Sequence, residues 1–196
     1  MQSTTLTMFL ATAAVVTLSA CGGSSTGGGQ SSFEQLSAEG TDLIARYGNA
    51  PTTALSAMPT GTATYSGYAA YSTQFSSPAD IVQFAETLSE VELTANFDTS
   101  ALNGRAFNFR YVDPAYQVSG DLAIAGNITG NSFDASISGT LTESFEGASL
   151  PVNWNGNLSG EFVGSNADAL RGTGTATGDA GLFGTFPASA VFGAER

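Results

Sequence analysis

The chain contains one cysteine, Cys21, which lies between an apolar stretch and a glycine-serine tract in the sequence TLSACGGSSTGGG. A single thiol has no partner for an internal disulfide, and an exposed free thiol is a liability in an oxidising compartment. Covalent modification of the sulfur is therefore the chemistry that this position favours. The preceding stretch, MFLATAAVVTLSA, is uncharged, and its length of about a dozen residues suits the hydrophobic region of a secretory signal but not a membrane span.

The residues Leu18-Ser19-Ala20-Cys21 resemble the cleavage site of bacterial lipoproteins. This resemblance implies that the Cys21 sulfur receives a diacylglycerol and that residues 1–20 are a signal peptide removed before it. The segment MQSTTLT departs from the pattern because it has no Lys or Arg. The alternative is an ordinary secretory signal followed by an idle cysteine.

Lipid on Cys21 would anchor the protein to a membrane. Two or three acyl chains hold a protein stably, whereas one holds it only marginally. Gly22 follows the cysteine at the position where Asp, by resemblance to known sorting patterns, indicates retention at the inner membrane. We therefore expect a lipid-anchored protein of the bacterial outer membrane, displayed at the cell surface.

Side chains suited to catalysis are scarce. The chain has no His and no Lys, so the commonest acid–base group, the Ser-His-Asp arrangement and the phosphate-loop lysine are all missing. The carboxylate pairs Glu90/Glu92 and Glu143/Glu146 fall on a strand or beside a loop, where such pairs are usually solvated surface. We predict no catalytic residue, no metal site and no cofactor, and hence a protein that is not an enzyme.

Haem binding without histidine would require tyrosine or methionine ligands. The candidates are Tyr65, Tyr68, Tyr71, Tyr111, Tyr116 and Met58. Most of these tyrosines are better explained as aromatic residues of a sheet. Arg105 and Arg110 lie in an otherwise acidic region, where they either orient a ligand carboxylate or pair with Glu92, and we favour the pairing.

The overall charge limits the kinds of molecule that the protein is expected to bind. The formal net charge is −12, and all five basic residues are arginine. Nucleic acids and anionic lipid surfaces are bound through Lys/Arg patches, so the composition argues against both. We expect a monomer whose membrane contact is the lipid on Cys21.

Two segments precede the main body of the chain. Residues 21–32 combine the modified cysteine with a Gly/Ser tether, whose flexible coil spans about 18 Å on average. Residues 33–57 follow, beginning FEQLSAEGTDLIARYG, in which the apolar residues fall near one helical face. Gly40 and Thr41 predict an interruption in this helix, which we expect to pack against the main domain. Further linker is the alternative.

Beyond residue 58 the apolar residues recur with a period of two, which is typical of antiparallel strands with one dry face and one wet face. Phe109, Trp154 and Phe162 fall on the dry face. Eight strands are predicted, near residues 61–71, 90–98, 104–112, 118–128, 131–143, 151–164, 171–178 and 182–193. Phe107 and Tyr111 are assigned to the same face as Phe109.

Turns and glycines in this region suggest a closed sheet. Asn103-Gly104, Gly130-Asn131 and Gly178-Asp179 are hairpin signals. Glycines on the dry face suit a small barrel in which strands bend or aromatic rings cross the lumen; they are Gly126, Gly139, Gly156 and Gly160. The segment SSPADIVQFAETL predicts a short helix capped by Ser77 that covers a barrel end.

The wet face consists of Asn, Ser, Thr, Asp and Glu, which hydrocarbon would not accept, so the apolar face must be the inside. We therefore predict an all-β fold, a single eight-stranded antiparallel soluble β-barrel with short helices packed at its N-terminal side.

The run GEFVGSNADALRGTGTATG resembles the glycine-phenylalanine signature of the barrel domains of transferrin-binding protein B and factor H binding protein. The matching residues are Gly160, Phe162, Gly164, Ala167 and Gly172. A structural role is expected for them, with Phe162 and Phe183 filling the lumen. The resemblance covers residues 58–196 and implies a surface lipoprotein that binds a ligand, with only one barrel, so transferrin binding is not carried over.

Two functions follow from this resemblance. The first is a non-catalytic surface receptor for a host protein, an iron-carrying protein or a haem-type ligand. The second is a periplasm-facing structural or assembly lipoprotein of the outer membrane. No residue is assigned to ligand binding from the sequence.

Overall fold

The alternating segments of the sequence form antiparallel strands. The structure, a computed structural model, describes residues 31–196, so Cys21 and the predicted signal peptide lie outside the described residues. The strands are Thr62–Ser72 (β1), Thr87–Asn96 (β2), Ala101–Tyr111 (β3), Gln117–Ser119 (β4), Leu122–Thr129 (β5), Ser132–Phe145 (β6), Ala148–Val163 (β7), Ala169–Asp179 (β8) and Thr185–Glu195 (β9).

The sheet closes on itself because the first strand pairs with the last. Ser66 in β1 lies opposite Glu195 in β9, and the remaining strands pair antiparallel with their neighbours in order. Strands β4 and β5 both lie between β3 and β6 and together fill one strand position, which is interrupted at Gly120, where φ is 109°. The barrel therefore has eight strand positions, and the predicted fold class is confirmed.

The two ends of the barrel differ. The closed end carries the turns 97–100, 130–131 and 164–168, and the open end carries the connections 73–86, 112–116, 146–147 and 180–184. Five aromatic rings fill the lumen toward the closed end, with centroid separations of 5.2–6.0 Å; they belong to Tyr65, Phe97, Phe133, Phe162 and Phe192. Each buried ring stabilises the fold by about 1.5–3 kcal/mol.

The segment before β1 seals the closed end. Thr53, which is fully buried, donates its backbone N–H to the Phe162 carbonyl at 2.9 Å and its hydroxyl to the Gly164 carbonyl at 2.9 Å. The Asn131 amide donates to the Thr53 carbonyl at 2.8 Å. The polar groups at this end are thereby satisfied within the chain, and the lumen is shut there.

The first helix, Phe33–Tyr47 (α1), packs against the outer wall of the barrel. Ser32 caps its N-terminus by accepting from Gln35 N at 3.2 Å, and Leu36 and Leu43 are buried. The predicted interruption is wrong, because the helix runs without a break through Gly40 and Thr41. A Cβ at Gly40 would make only an ordinary contact, 3.7 Å from the Tyr68 Cβ.

The second helix, Pro78–Phe84 (α2), connects β1 to β2. As predicted, Ser77 caps it, accepting from Asp80 N at 3.2 Å. The helix does not cover a barrel end, however, because Ile81 is buried where α2 packs on the outer wall against β1 and β9. Neither α1 nor α2, the helices of residues 31–196, is long and apolar enough to cross a bilayer.

A bulge in β3 changes which residues face the lumen. Asn108 has a φ of 55°, and the register between β2 and β3 shifts beside it. Ala106 and Phe109 are consequently both buried, while Phe107 lies on the outer face beneath the Arg105 guanidinium, 4.3 Å from the ring centroid. The predicted inward position of Phe107 is therefore wrong, whereas that of Phe109 is confirmed.

Two of the predicted hairpin signals lie inside strands. Asn103-Gly104 is within β3, and Gly178-Asp179 ends β8. Gly104 is required by close packing, because a Cβ there would lie 2.0 Å from the Glu92 carbonyl oxygen. The prediction at Gly130-Asn131 is confirmed, since Gly130 has a φ of 63° in the turn between β5 and β6.

Candidate functional site at the open end of the barrel

Two apolar side chains project from the connection between β8 and β9. Leu182 is 104% exposed and Phe183 is 80% exposed. The turn that carries them is ordered by hydrogen bonds, because Gly181 N donates to the Asp179 carboxylate at 2.9 Å and Ala180 N donates to the Gly184 carbonyl at 2.9 Å. The backbone therefore holds both side chains away from the barrel.

Phe183 was expected in the lumen, and this prediction is wrong. Gly181 and Gly184 have φ values of 64° and 92° and bracket a short 3₁₀ turn, so β9 begins only at Thr185. Phe186 takes the inward position instead and packs edge-on against Trp154, with centroids 5.3 Å apart.

A second aromatic group lies along the same rim. The Tyr116 ring stacks on Phe145 with centroids 4.3 Å apart and also packs against Tyr111 at 5.6 Å. Tyr111 ends β3, Tyr116 lies in the connection 112–116 and Phe145 ends β6. The β6–β7 hairpin that carries Phe145 extends five residues past the end of β8, from which the Leu182–Phe183 turn departs.

The open end also carries several acidic side chains. The connections and strand ends of the open rim carry Glu86, Asp113, Glu143, Glu146 and Asp179. Ionised carboxylates on a rim of this kind favour partners with a complementary positive surface.

The arginines are occupied elsewhere on the barrel. Arg105 forms the expected pair with Glu92 at 3.4 Å and a further one with Asp121 at 3.1 Å. Arg110 does not pair with Glu92, because it lies opposite Leu88 in the register of β2 and β3, and it donates to the Ser31 carbonyl at 2.8 Å. Three more ion pairs join Arg46 to Glu195, Arg171 to Glu161 and Arg196 to Asp168.

Glu143 differs from the solvated carboxylate that its spacing from Glu146 suggested. It continues the inward register of Leu141 on β6 and lies half-buried at the mouth of the lumen. Burial raises the pKa of the Glu143 carboxyl, and the nearby Tyr111 hydroxyl partly opposes the shift. Taking every second residue of β6 from Phe133 places Glu143 on the inner face of the barrel. Glu146 lies in the turn after β6.

Replacing Glu143 with glutamine is expected to stabilise the fold at neutral pH. A carboxyl whose folded pKa is raised disfavours folding once it is ionised, and this penalty disappears below its unfolded pKa, near 4.3. The gain should be at most about 1 kcal/mol, or about 2–4 °C in melting temperature, because the group is partly solvated. Thermal melts between pH 3.5 and 8 measure it.

The matched control for this substitution is Glu146→Gln in the adjacent turn, which should show no such pH dependence. A gain from Glu143→Gln that persisted unchanged at pH 3.5, or that was missing at pH 7, would contradict the assignment of Glu143 as a desolvated carboxyl.

A cavity of about 180 Å³ occupies the lumen between this mouth and the packed closed end. Its wall is apolar and includes Phe109, Leu122, Ile137, Leu141 and Leu158. Trp154 also lines it, and the indole Nε1–H is buried without an acceptor among the described residues.

The candidate haem ligands do not converge. Tyr65 donates to the Ala167 carbonyl at 2.9 Å near the closed end, Tyr68 bonds to Glu39 on the outer wall, and Tyr71 lies beside Ser89 at 3.0 Å in the lumen. Burial raises the pKa of Tyr65 and Tyr71 to about 12, so both phenols remain protonated near neutral pH. Met58 is partly buried and packs against the core.

The two remaining candidates, Tyr111 and Tyr116, lie on the open rim, where burial raises the pKa of Tyr111 to about 12. Within residues 31–196 no group of three or more Asp, Glu or Cys side chains is placed to hold a metal ion.

The glycine-phenylalanine signature has a structural role. Phe133 and Phe192 lie over Gly160 and Gly172, where a Cβ would approach each ring to 2.5 Å. Phe162 is fully buried at the centre of the aromatic cluster. The signature thus marks the places where aromatic rings cross the lumen.

The barrel is sealed at one end and carries loops with exposed apolar side chains at the other. This arrangement is typical of a binding protein. The family model of the "C-lobe and N-lobe beta barrels of Tf-binding protein B" matches residues 58–196. The chain belongs to this family, and the resemblance predicted from its sequence is confirmed.

Among solved structures, the chain is similar to two mutants of the vaccine antigen transferrin-binding protein B from Haemophilus parasuis Hp5. It is 22% and 23% identical to them, with TM-scores of 0.41 and 0.42, and 74% of this chain aligns with 28% and 27% of theirs. The isotype 1 protein from serogroup B Neisseria meningitidis is 21% identical with a TM-score of 0.43, and 75% of this chain aligns with 28% of it. The chain therefore matches little more than a quarter of these proteins. No curated protein sequence matches it.

Proposed function

We propose that the protein is a lipid-anchored receptor of the outer-membrane surface that binds a protein partner at the open end of its barrel. The observation that supports this function most directly is the exposure of Leu182 and Phe183 on a hydrogen-bonded turn. Large apolar side chains held in water by an ordered backbone are typical of protein-binding surfaces. The stacked Tyr116 and Phe145 form a second partly exposed aromatic group at the open end.

The charge of the rim indicates what kind of partner fits. Glu86, Asp113 and Asp179 belong to the connections and strand ends of the open end, so a partner that presents basic residues together with apolar ones would be complementary. Membership of the transferrin-binding protein B barrel family supports an iron-carrying protein of the transferrin type as the first partner to test.

The described chain begins on the outer wall of the barrel, close to its open end. Ser31, the first described residue, lies against the outer wall, where its hydroxyl donates to Glu90 at 3.2 Å and its carbonyl accepts from Arg110. Ser31 therefore lies on the outer wall near the open end, where β2 begins and β3 ends. With the lipid on Cys21, the Gly/Ser composition of residues 22–32 is proposed to give the barrel enough freedom to turn its open end away from the membrane.

Binding is tested with immobilised transferrin and, separately, with whole serum. The double substitution Leu182→Ser and Phe183→Ser is expected to weaken retention at least about tenfold, because two anchoring side chains each contribute more than about 1 kcal/mol. The matched control is Leu55→Ser, since Leu55 is 67% exposed near the closed end.

Retention by the unmodified protein and the Leu55→Ser control, with loss in the double variant, supports the proposal. Equal retention of all three proteins would place the partner on another surface. Failure of the unmodified protein to retain transferrin or any serum protein would contradict the receptor.

Surface display is tested by treating intact cells with a broad-specificity protease. The Gly/Ser tether offers no Lys or Arg to trypsin, and its composition gives it no core that would protect it. Loss of the barrel signal while a periplasmic control protein stays intact supports surface display. Protection until the outer membrane is permeabilised would favour a structural role on the periplasmic side instead.

A further inference from the structure

We propose that the lumen cavity binds a small organic ammonium ion, with the apolar body of the ligand inside the cavity and its ammonium group at the mouth, beside the carboxylates of Glu86 and Glu143. The proposal concerns the inside of the barrel and does not depend on a protein partner at the rim. It follows from the size of the cavity, its apolar wall and the charge at its mouth.

The size of the cavity limits the body of the ligand to about one ring. Its volume is about 180 Å³, and an engineered apolar cavity of about 150 Å³ binds benzene. Tyr65, Phe133 and Phe162 pack together toward the closed end, so a long chain cannot extend through the barrel. One ring with a short substituent therefore fits.

The wall of the cavity determines which end of the ligand enters first. Ile137, Leu141 and Leu158 line the cavity and are buried. A charge placed among such side chains without a partner is strongly unfavourable, so the uncharged end of the ligand enters and a charged group stays at the mouth. A lysine of a protein partner would enter with its ammonium first, which is the opposite orientation.

The mouth carries two carboxylates in fixed positions. Glu86 accepts from the buried Ser72 hydroxyl at 3.1 Å and from Thr73 N at 2.9 Å, while Glu143 continues the inward register of β6, and both line the cavity. Burial raises the pKa of Tyr111 to about 12, and the charges of Glu143 and Glu86 add to this shift. The two carboxylates therefore act on the same hydroxyl at the mouth.

The chain supplies no cation to these carboxylates. The sequence has no Lys and no His, and among residues 31–196 no arginine lines the cavity. An ammonium ion would provide the opposite charge through charge-assisted hydrogen bonds. Tyr71 and Tyr111 also line the cavity, and aromatic rings attract a cation placed over their faces. An anion, in contrast, would be repelled.

Three probes of nearly equal shape test this selection at pH 7: phenethylammonium, which is a cation; 2-phenylethanol, which is neutral; and phenylacetate, which is an anion. The full chain with Cys21→Ala is used, so that neither lipid nor detergent competes for the cavity. Titrations follow the NMR signals of the Ile137 and Leu141 methyl groups, which line the cavity.

Phenethylammonium is expected to bind about tenfold more tightly than 2-phenylethanol, the ratio that one hydrogen bond to a charged group contributes. Phenylacetate should leave the methyl signals unchanged at the same concentrations. Nuclear Overhauser effects from the ring protons to these methyl groups should locate the ring in the lumen. Absence of phenethylammonium binding, equal binding of either other probe, or Overhauser effects only to the exposed Leu182 would overturn the proposal.

Variants test the role of the carboxylates. Glu143→Gln should weaken phenethylammonium binding at least about threefold and leave 2-phenylethanol binding unchanged, and adding Glu86→Gln should remove the preference for the cation altogether. The matched control is Glu146→Gln, which removes the same charge from a residue that does not line the cavity and should change neither affinity. An undiminished preference in Glu143→Gln, or an equal loss in Glu146→Gln, would contradict recognition of the ammonium group at the mouth.

Discussion

Replacement of both Phe109 and Phe162 with alanine is expected to unfold most of the protein at room temperature. The two side chains are 3% and 0% exposed, and a buried Phe→Ala change costs about 3–5 kcal/mol. Phe162 packs in the closed-end cluster, whereas Phe109 packs against Tyr71 with centroids 5.7 Å apart. Because the two sites share no aromatic partner, their effects should add. The sum approaches the whole stability of a typical domain, about 5–15 kcal/mol.

Urea denaturation measures this loss, and Phe107→Ala provides the control. Phe107 is two residues from Phe109 but lies on the outer face beneath Arg105, where an exposed cation–π contact contributes about 0.5–1 kcal/mol. Its loss should therefore move the midpoint only slightly. An unmoved midpoint in the double variant, or an equal loss in Phe107→Ala, would show that the facing of β3 is misassigned.

Replacement of Cys21 with alanine is expected to transfer the protein from the membrane fraction to the soluble fraction. Under the proposed function the acyl chains on this sulfur are the anchor, and each buried methylene contributes about 0.8 kcal/mol. Removing two or three chains at once therefore removes essentially all membrane affinity. Fractionation and metabolic labelling with an acyl probe measure the change.

Cys21→Ser should behave as Cys21→Ala does, because its oxygen preserves size and polarity but is not the sulfur to which lipid is added. The Leu55→Ser variant, which alters an exposed side chain of the barrel, should remain in the membrane fraction with its acyl label. A Cys21→Ala protein that stayed with the membranes would contradict the lipoprotein proposal.

The strands and most of their facing follow from the sequence because side chains alternate with a period of two. Phe109 and Phe162 are examples in which the pattern alone identifies a core residue. Phe107 was misplaced because a bulge at Asn108 inserts a residue with positive φ. The alternation of inward and outward side chains breaks at this residue, and no glycine in the sequence indicates the bulge. Phe183 was misplaced because Gly181 and Gly184, both with positive φ, form a turn and delay the start of β9 to Thr185.

The candidate site was less predictable than the fold. An exposed Leu182–Phe183 turn has the same local sequence as the start of a buried strand, and only the hydrogen bonds to Asp179 and Gly184 distinguish the two. The lumen cavity depends on how rings from distant strands fill space. Nothing in the residues around Trp154 indicates that its N–H lacks an acceptor.

The pairing of β1 with β9 affects the order in which the protein can be made and exported. Ser66 must meet Glu195, the residue before the last one given, so this seam forms only after nearly the whole given sequence has left the ribosome. Contacts so distant in sequence form slowly compared with local ones. If the chain is exported as proposed, the barrel can close only after β9 has emerged on the far side of the membrane.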